Sequence, residues 1–245
     1  MAATLRTDIG RVRKQNEDAA WMSEARGIYA VADGMGGHLA GEVASGMAID
    51  AVKRLANGRG EASFSALRAT VRRAHEAIAA HAGKHPECAG MGTTLSMMWR
   101  GGHYMYIAHV GDSRIYRLRE GKLEQITQDH SFVAELVRGG VITPEEARSH
   151  PRRNIITRAL GTRGDNTPDL LAADTRKGDI WLLCTDGLTG MVEDERIEAE
   201  LSSAGRTLEE AADRLLSLAL SAGGSDNVTL ILHRDDEEGK AWNQD

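Results

Sequence analysis

The sequence predicts an α+β fold in which antiparallel sheets pack together with helices outside, and three observations lead there. Apolar runs pair across short turns. Residues 93–99 and 104–110 flank Arg100-Gly101-Gly102-His103, and residues 115–118 and 123–126 flank Arg119-Glu120-Gly121-Lys122, the spacing of hairpins in series. Several of these runs are apolar at consecutive positions, as strands covered on both faces are. Helical stripes stand before and after the hairpins, so helices supply the outer cover.

The elements follow in order. Residues 27–32 read as a short buried strand, and residues 40–56 as a helix ended by Asn57-Gly58. Leu67, Val71, Ala74 and Ile78 recur at helical spacing and predict a helix over 63–83. After the two hairpins, residues 130–168 are punctuated by Gly139-Gly140, Thr143-Pro144, His150-Pro151 and Gly161, the pattern of a surface insertion with short helical pieces. Residues 179–184 and 228–233 are apolar strands. Between them Leu208, Ala212, Leu215 and Ala219 mark a helix over 207–221, with Thr207 and Glu210 placed for a capping box. Residues 235–245 read as a polar, frayed tail after a single domain over 1–234.

Composition narrows the function classes. The 245 residues are 41% hydrophobic and 27% charged, ordinary for a globular chain long enough to bury a large core. With 36 acidic against 30 basic residues and a formal charge of −6, a basic footprint for nucleic acid is missing. No apolar run reaches the roughly 20 residues of a membrane span, and residues 1–8 lack the apolar stretch of a secretory signal. Of two cysteines, Cys184 lies in an apolar run and Cys88 in a loop, without zinc or redox spacing, so a reduced cytoplasmic protein is expected.

The chemistry concentrates in four aspartates. Asp33 ends the apolar run Tyr29-Ala30-Val31-Ala32, Asp112 follows residues 107–111, Asp186 follows residues 181–185, and Asp226 precedes the strand at 228. Asp33 and Asp186 are each followed by glycine, and Asp112 is preceded by one. A lone Asp-Gly is ordinarily a turn. Four such acids at the ends of buried strands are costly unless cations hold them, because burying unpaired charge is strongly unfavourable. All-oxygen ligation selects magnesium or manganese over zinc or copper. The glycines are expected to turn the backbone sharply and bring a carbonyl to the metal. Gly34-Met35-Gly36-Gly37-His38-Leu39-Ala40-Gly41 imitates a dinucleotide loop, but its third glycine position is Leu39 and Asp33 would repel a pyrophosphate. Gly164-Asp165-Asn166 imitates Ser225-Asp226-Asn227 and reads as a plain turn. The nine histidines form no metalloprotease motif, and no nucleophile elbow or phosphate-binding lysine loop is present.

At this point a resemblance is specific. Arg13-Lys14-Gln15-Asn16-Glu17-Asp18, Val31-Ala32-Asp33-Gly34-Met35-Gly36-Gly37, Gly92-Thr93-Thr94, Val110-Gly111-Asp112-Ser113-Arg114, Cys184-Thr185-Asp186-Gly187-Leu188 and Ser225-Asp226-Asn227-Val228-Thr229 occur in the order seen in the type 2C metal-dependent protein phosphatases. Gln128-Asp129-His130-Ser131 and Arg158-Ala159-Leu160-Gly161 resemble further blocks of that family, and together the blocks span residues 6–233. The resemblance is to the compact bacterial members. It implies a four-layer α-β-β-α sandwich of two antiparallel sheets flanked by helices, with two or three Mn2+ or Mg2+ ions at one end.

Carried onto this sequence, it implies that Asp33 bridges two ions while Gly34 offers its carbonyl, and that Asp186 and Asp226 complete the second. Asp112 with Asp186 would hold a third ion. Glu17 and Asp18 would act through water, and Arg13 would grip the substrate phosphate. A hydroxide bridging the ions would attack phosphoserine or phosphothreonine. Residues 138–165 would be a flap, and its arginines 138, 148, 152, 153, 158 and 163 would either recruit substrate or face solvent. Many eukaryotic relatives carry histidine directly after the Asp-Gly pair. Here that position is Met35, so the general acid stays unassigned, and His38 is expected to point elsewhere. The implied partners are phosphorylated proteins and an opposing serine/threonine kinase, with no nucleic acid and no membrane, for a monomeric chain. The rival readings are a non-catalytic phosphoprotein-binding module and a hydrolase of small phosphate esters.

Overall fold

The computed structural model describes residues 2–36 and 40–236. Two antiparallel sheets lie face to face. The first contains β1 (Ala2–Asp8), β11 (Val228–Arg234), β10 (Ile180–Cys184), β7 (Arg114–Arg119) and β8 (Lys122–Gln125), in that order. The second runs β2 (Asp18–Ser23), β3 (Ile28–Met35), β5 (Leu95–Gly101), β6 (Tyr104–Val110) and β9 (Asp169–Asp174), with the short β4 (Gly92–Thr93) paired to the end of β3. Helices α1 (Ala40–Ala56) and α2 (Phe64–Lys84) cover the second sheet; α5 (Asp186–Thr189), α6 (Asp194–Leu201) and α7 (Leu208–Ser221) cover the first. Two further short helices, α3 (Phe132–Arg138) and α4 (Pro144–Ser149), belong to the predicted insertion.

The alternation of a strand divides its side chains between layers. In β3, Ile28, Ala30 and Ala32 face the α1–α2 layer, while Tyr29 and Val31 enter the central layer with Met98, Ile107, Ile115, Trp181, Leu183 and Ile231. Both faces are therefore apolar, which explains the consecutive apolar residues in the sequence. Thr207 and Glu210 form the expected capping box at α7. The turn between β7 and β8 is a two-residue one with positive φ at both Glu120 (51°) and Gly121 (76°), the geometry that matches strand twist.

Three strands depart from the sequence reading, which left residues 2–8, 18–23 and 169–174 without an assignment. All three, β1, β2 and β9, are sheet edges. An edge strand needs less burial, and these three are mostly half-buried; β1 mixes polar residues with alanine and leucine, while Ala19-Ala20-Trp21-Met22 in β2 and Leu170-Leu171-Ala172-Ala173 in β9 are apolar runs too short to tell strand from helix. Cys88, expected in a loop, sits in a single 3-10 turn (Pro86–Cys88) and packs into the α1–α2 core. Asp235, expected to open the frayed tail, is fully buried and paired with Arg100; residues 237–245 lie outside the described ones.

Candidate metal centre

The C-terminal ends of β3, β6 and β10 and the N-terminal ends of β2, β5, β7 and β11 meet at one end of the sandwich, and the predicted acids gather there. Asp18 and Asp33 are directly opposed partners on β2 and β3. Like charges facing across a ladder are destabilising. Asp186 is the first residue of α5, just beyond β10, and Asp226 stands just before β11. Asp112 lies in the turn from β6 to β7 and is 8% exposed. The five carboxyl groups repel one another. Burial foremost, and then Asp18, Asp186, Asp112 and Asp226, raise Asp33 well above the carboxylate range. Burial and then Asp186 do the same to Asp112. Asp186 is raised by burial and Asp226, although Asp33 stands within hydrogen-bonding reach of it. Asp18 is pushed up to about 7 by burial, against hydrogen bonds from Thr229 and Thr185.

The fit to cations rests on partnerless oxygens. Asp18 Oδ1, Asp112 Oδ1 and Asp186 Oδ1 are buried and accept no hydrogen bond from the described residues. A buried oxygen with no donor is rare and calls for an explanation. Hard divalent cations supply one, since oxygen-only donors are what such ions take. Among the described residues no three of these side chains already close around one point as a ligand shell. What the fold supplies is convergence and an unmet demand for positive charge.

Hydroxyls and one amide hold the acids in place. Thr94 N–H donates to the Asp33 carbonyl (2.9 Å) and Asp33 N–H to Thr94 Oγ1 (2.8 Å), while Thr93 Oγ1 donates to the same carbonyl (2.9 Å). Thr94 Oγ1 also meets Ser113 Oγ at 2.8 Å, tying β5 to the Asp112 turn. Thr185 Oγ1 donates to Asp18 Oδ2 (2.9 Å), which joins the two sheets. Arg13 Nη2 donates to Asp226 Oδ2 at 2.7 Å from a half-exposed position, so a cation stands at the mouth of the acid cluster. Glu17 follows on the same loop, its carboxyl raised mainly by burial.

One expectation is corrected. Strand β3 runs through Asp33 and Gly34 to Met35 without the sharp turn assigned to the glycine. What Gly34 permits is close approach: a Cβ there would stand 2.1 Å from the Gly41 carbonyl oxygen and 2.6 Å from that of Glu17. Likewise a Cβ on Gly187 would stand 1.8 Å from the Asn227 carbonyl oxygen, so glycine lets α5 seat against β11. In the flap, Arg158 pairs with Asp165 (3.1 Å) and Asp169 (2.8 Å), Arg148 with Glu193 (2.7 Å), and Arg152 stacks 3.8 Å over the Phe132 ring. These contacts tie the flap to itself and to β9 and α6, and Arg148, Arg152, Arg153 and Arg163 are all exposed. Asp165 accepts from Thr167 N–H, as the plain-turn reading expects. His38 lies outside the described residues.

The residue the sequence reading passed over is Asn227. Its side chain is buried among three loop groups: Oδ1 accepts from Glu17 N–H (2.8 Å), and Nδ2 donates to the carbonyls of Ile9 (2.9 Å) and Gln15 (2.8 Å). It clamps the loop that carries Arg13 and Glu17. The only hint in the sequence is its place beside Asp226, since an amide used this way leaves no periodic pattern.

Comparison with known proteins agrees with this geometry. A family model described as "Protein phosphatase 2C" matches residues 11–221. The serine/threonine protein phosphatase PstP of Mycobacterium tuberculosis is 47% identical over 228 residues, covering 93% of this chain and 43% of that protein. The serine/threonine phosphatase stp of Listeria monocytogenes is 44% identical over 240 residues, with 95% of each chain covered. A solved structure of the catalytic domain of PstP in complex with two manganese ions superimposes with a TM-score of 0.86 at 44% identity, covering 94% of this chain and 96% of that one. The chain belongs to the type 2C protein phosphatase family. It spans less than half the length of the mycobacterial relative and nearly all of the listerial one.

Proposed function

We propose that this chain is a metal-dependent serine/threonine protein phosphatase, hydrolysing phosphoserine and phosphothreonine on proteins. The observation that carries the reading is the set of buried aspartates at one end of the sandwich, with three carboxylate oxygens for which the described residues supply no donor. The names of the mycobacterial and listerial relatives support the reaction, and the two manganese ions bound to PstP support the cofactor.

Asp33, Gly34, Asp186 and Asp226 would hold two Mn2+ or Mg2+ ions, Asp112 with Asp186 a third, and Glu17 and Asp18 would act through water. Such ions supply a water acidic enough to be a nucleophile at neutral pH, and neutralise the phosphoryl oxygens. The chain's own residues orient and bind. Arg13, fixed by Asp226, presents a charge-assisted donor for the phosphate dianion. Asn227 keeps the Arg13 loop seated against β11. Among the described residues no helix is long and apolar enough to cross a membrane. A cytoplasmic, monomeric enzyme opposing a serine/threonine kinase is the setting we propose.

The test is hydrolysis of a phosphothreonine peptide with manganese, with and without chelator, by wild type and Asp186→Ala. Turnover should need the cation and fall by about 1,000-fold or more in the variant, roughly 4 kcal/mol of transition-state stabilisation. A chelator-resistant rate would reject the reading, and rapid turnover confined to nucleotides would assign the site to small phosphate esters.

A further inference from the structure

His130 stands at the root of the flap, 3% exposed, and touches the acid cluster and the flap at once. On one side it grips Gly111, the residue before Asp112. His130 N–H donates to the Gly111 carbonyl (2.8 Å), and Gly111 N–H donates to His130 Nδ1 (3.1 Å). Because Nδ1 accepts, the neutral ring carries its proton on Nε2. That nitrogen lies 3.1 Å from both Asp169 Oδ2 and Arg158 Nη1; carrying the proton, it donates to Asp169 and not to the donor-only guanidinium, whose Nη1 donates to Asp169 Oδ1 at 2.8 Å. The His130 carbonyl accepts from Thr157 N–H (2.8 Å), and Ser131 bridges to Ile156. The backbone of His130 thus pairs with Gly111 and Thr157 whatever its side chain, and the ring adds one further link, from Gly111 N–H through Nδ1 and Nε2 to Asp169.

The turn has little freedom of its own. Gly111 sits at φ +110°, and a Cβ there would fall 2.5 Å from Thr94 Cγ2. With Thr94 on one flank and His130 on the other, the direction of the Asp112 carboxylate follows from where Gly111 is held. Asp112 Oδ1 is one of the three buried oxygens that have no donor among the described residues.

We infer that His130 is a positioning residue: through Gly111 it aims Asp112 at the cation that Asp112 and Asp186 would share, and through Asp169 and Arg158 it makes that aim depend on the flap. The inference rests on the phosphatase reading of the site. Groups that hold a ligand in place without touching the metal typically change affinity by 10–100-fold when removed. A flap displaced far enough to part Arg158 from Asp169 would then be felt as weakened hold on this one ion.

The experiment is a manganese titration by calorimetry of wild type, His130→Ala, His130→Asn and Asp169→Ala, with thermal melting of each. Asparagine keeps an acceptor where Nδ1 stands but does not reach Asp169. His130→Ala should weaken the weakest manganese site about tenfold and leave tighter sites within about twofold, while His130→Asn recovers most of the loss. Asp169→Ala, at a partly exposed position, should weaken the same site about threefold without a fall in melting temperature. Excess manganese should restore phosphopeptide kcat in His130→Ala. An unchanged titration, a wild type without a separable weak site, or an equal loss at every site in both His130 variants would overturn the positioning role alone. A wild type that binds no cation and keeps its phosphopeptide turnover in chelator would overturn the phosphatase reading with it.

Discussion

The two ends of the sandwich both bury aspartates and treat them in opposite ways. At the end remote from the acid cluster, Asp235 is fully buried and receives both Nε (2.9 Å) and Nη2 (3.0 Å) of Arg100, with Thr175 Oγ1 donating at 2.9 Å. Asp179, 2% exposed, receives Nε (2.8 Å) and Nη2 (2.6 Å) of Arg119. Each arginine comes from a strand end facing the acid, so the charge is matched within the fold. At the other end Asp18, Asp112 and Asp186 keep buried oxygens for which the described residues supply no donor, while Arg13 goes to Asp226 and Arg114 to Asp129. One residue type at strand ends is thus matched by arginine at one end of the sandwich and left with unmet charge at the other.

The comparison fails or sharpens through substitutions at the two ends. The largest stability effect is expected from Arg100→Ala, which takes the two-pronged guanidinium from buried Asp235 and should cost about 3–5 kcal/mol in denaturant unfolding. Turnover per folded molecule should stay near wild type, because the acid cluster is at the opposite end. Asp33→Asn should act with the reverse sign. In chelator it removes a carboxyl group that must take up a proton to be buried among its acidic neighbours, and unfolding free energy should rise by about 1–2 kcal/mol, while the manganese-induced rise in melting temperature shrinks. A chelated Asp33→Asn protein less stable than wild type would break the contrast.

The smallest effect is a pH dependence. Asp18 is held at about 7 in the folded chain against 3.8 when unfolded. Between those values the folded state binds more protons, so its contribution destabilises increasingly as pH rises. Buried His109 and His233 are each pushed down to about 4 by desolvation, from 6.5. Over that span the unfolded state binds more protons, and their contribution to stability rises with pH. Without cations the two trends oppose each other. Manganese keeps the aspartates ionised in the folded state and removes the first trend. The manganese-induced gain in melting temperature should therefore widen from about pH 5 to pH 7; a constant gain would show that the acids are not protonated without metal.

Much of this was legible in the sequence because burial on both faces writes itself into consecutive apolar residues, as in Ile28 to Ala32 and Ile180 to Cys184. The edge strands β1, β2 and β9 were not, since β1 has no such run and the four-residue runs of β2 and β9 are too short to separate strand from helix. For the site, acids at strand ends were visible as a pattern of positions. Their convergence was not, because it depends on which strand neighbours which; the pairing of Asp18 with Asp33 is a fact of register. Asn227 was hidden for a related reason: its three hydrogen bonds go to backbone groups more than 200 residues away. The glycine of Asp33-Gly34 pointed to the right place for the wrong reason, close approach within a continuous strand where a turn was expected, whereas at Asp186-Gly187 the chain does turn from β10 into α5 and the glycine also allows close approach.

Strand β1 pairs along its whole length with β11, Ala2 opposite Arg234 and Asp8 opposite Val228. Just beyond that seam, Arg13 meets Asp226 and Asn227 clasps the loop at residues 9–17. During synthesis the first strand therefore waits for the last before it can enter a sheet, a contact of very long range that slows folding. A nascent chain released before residue 226 can possess most of both sheets and still lack the clasp, so the acid cluster becomes competent only as the final strand docks.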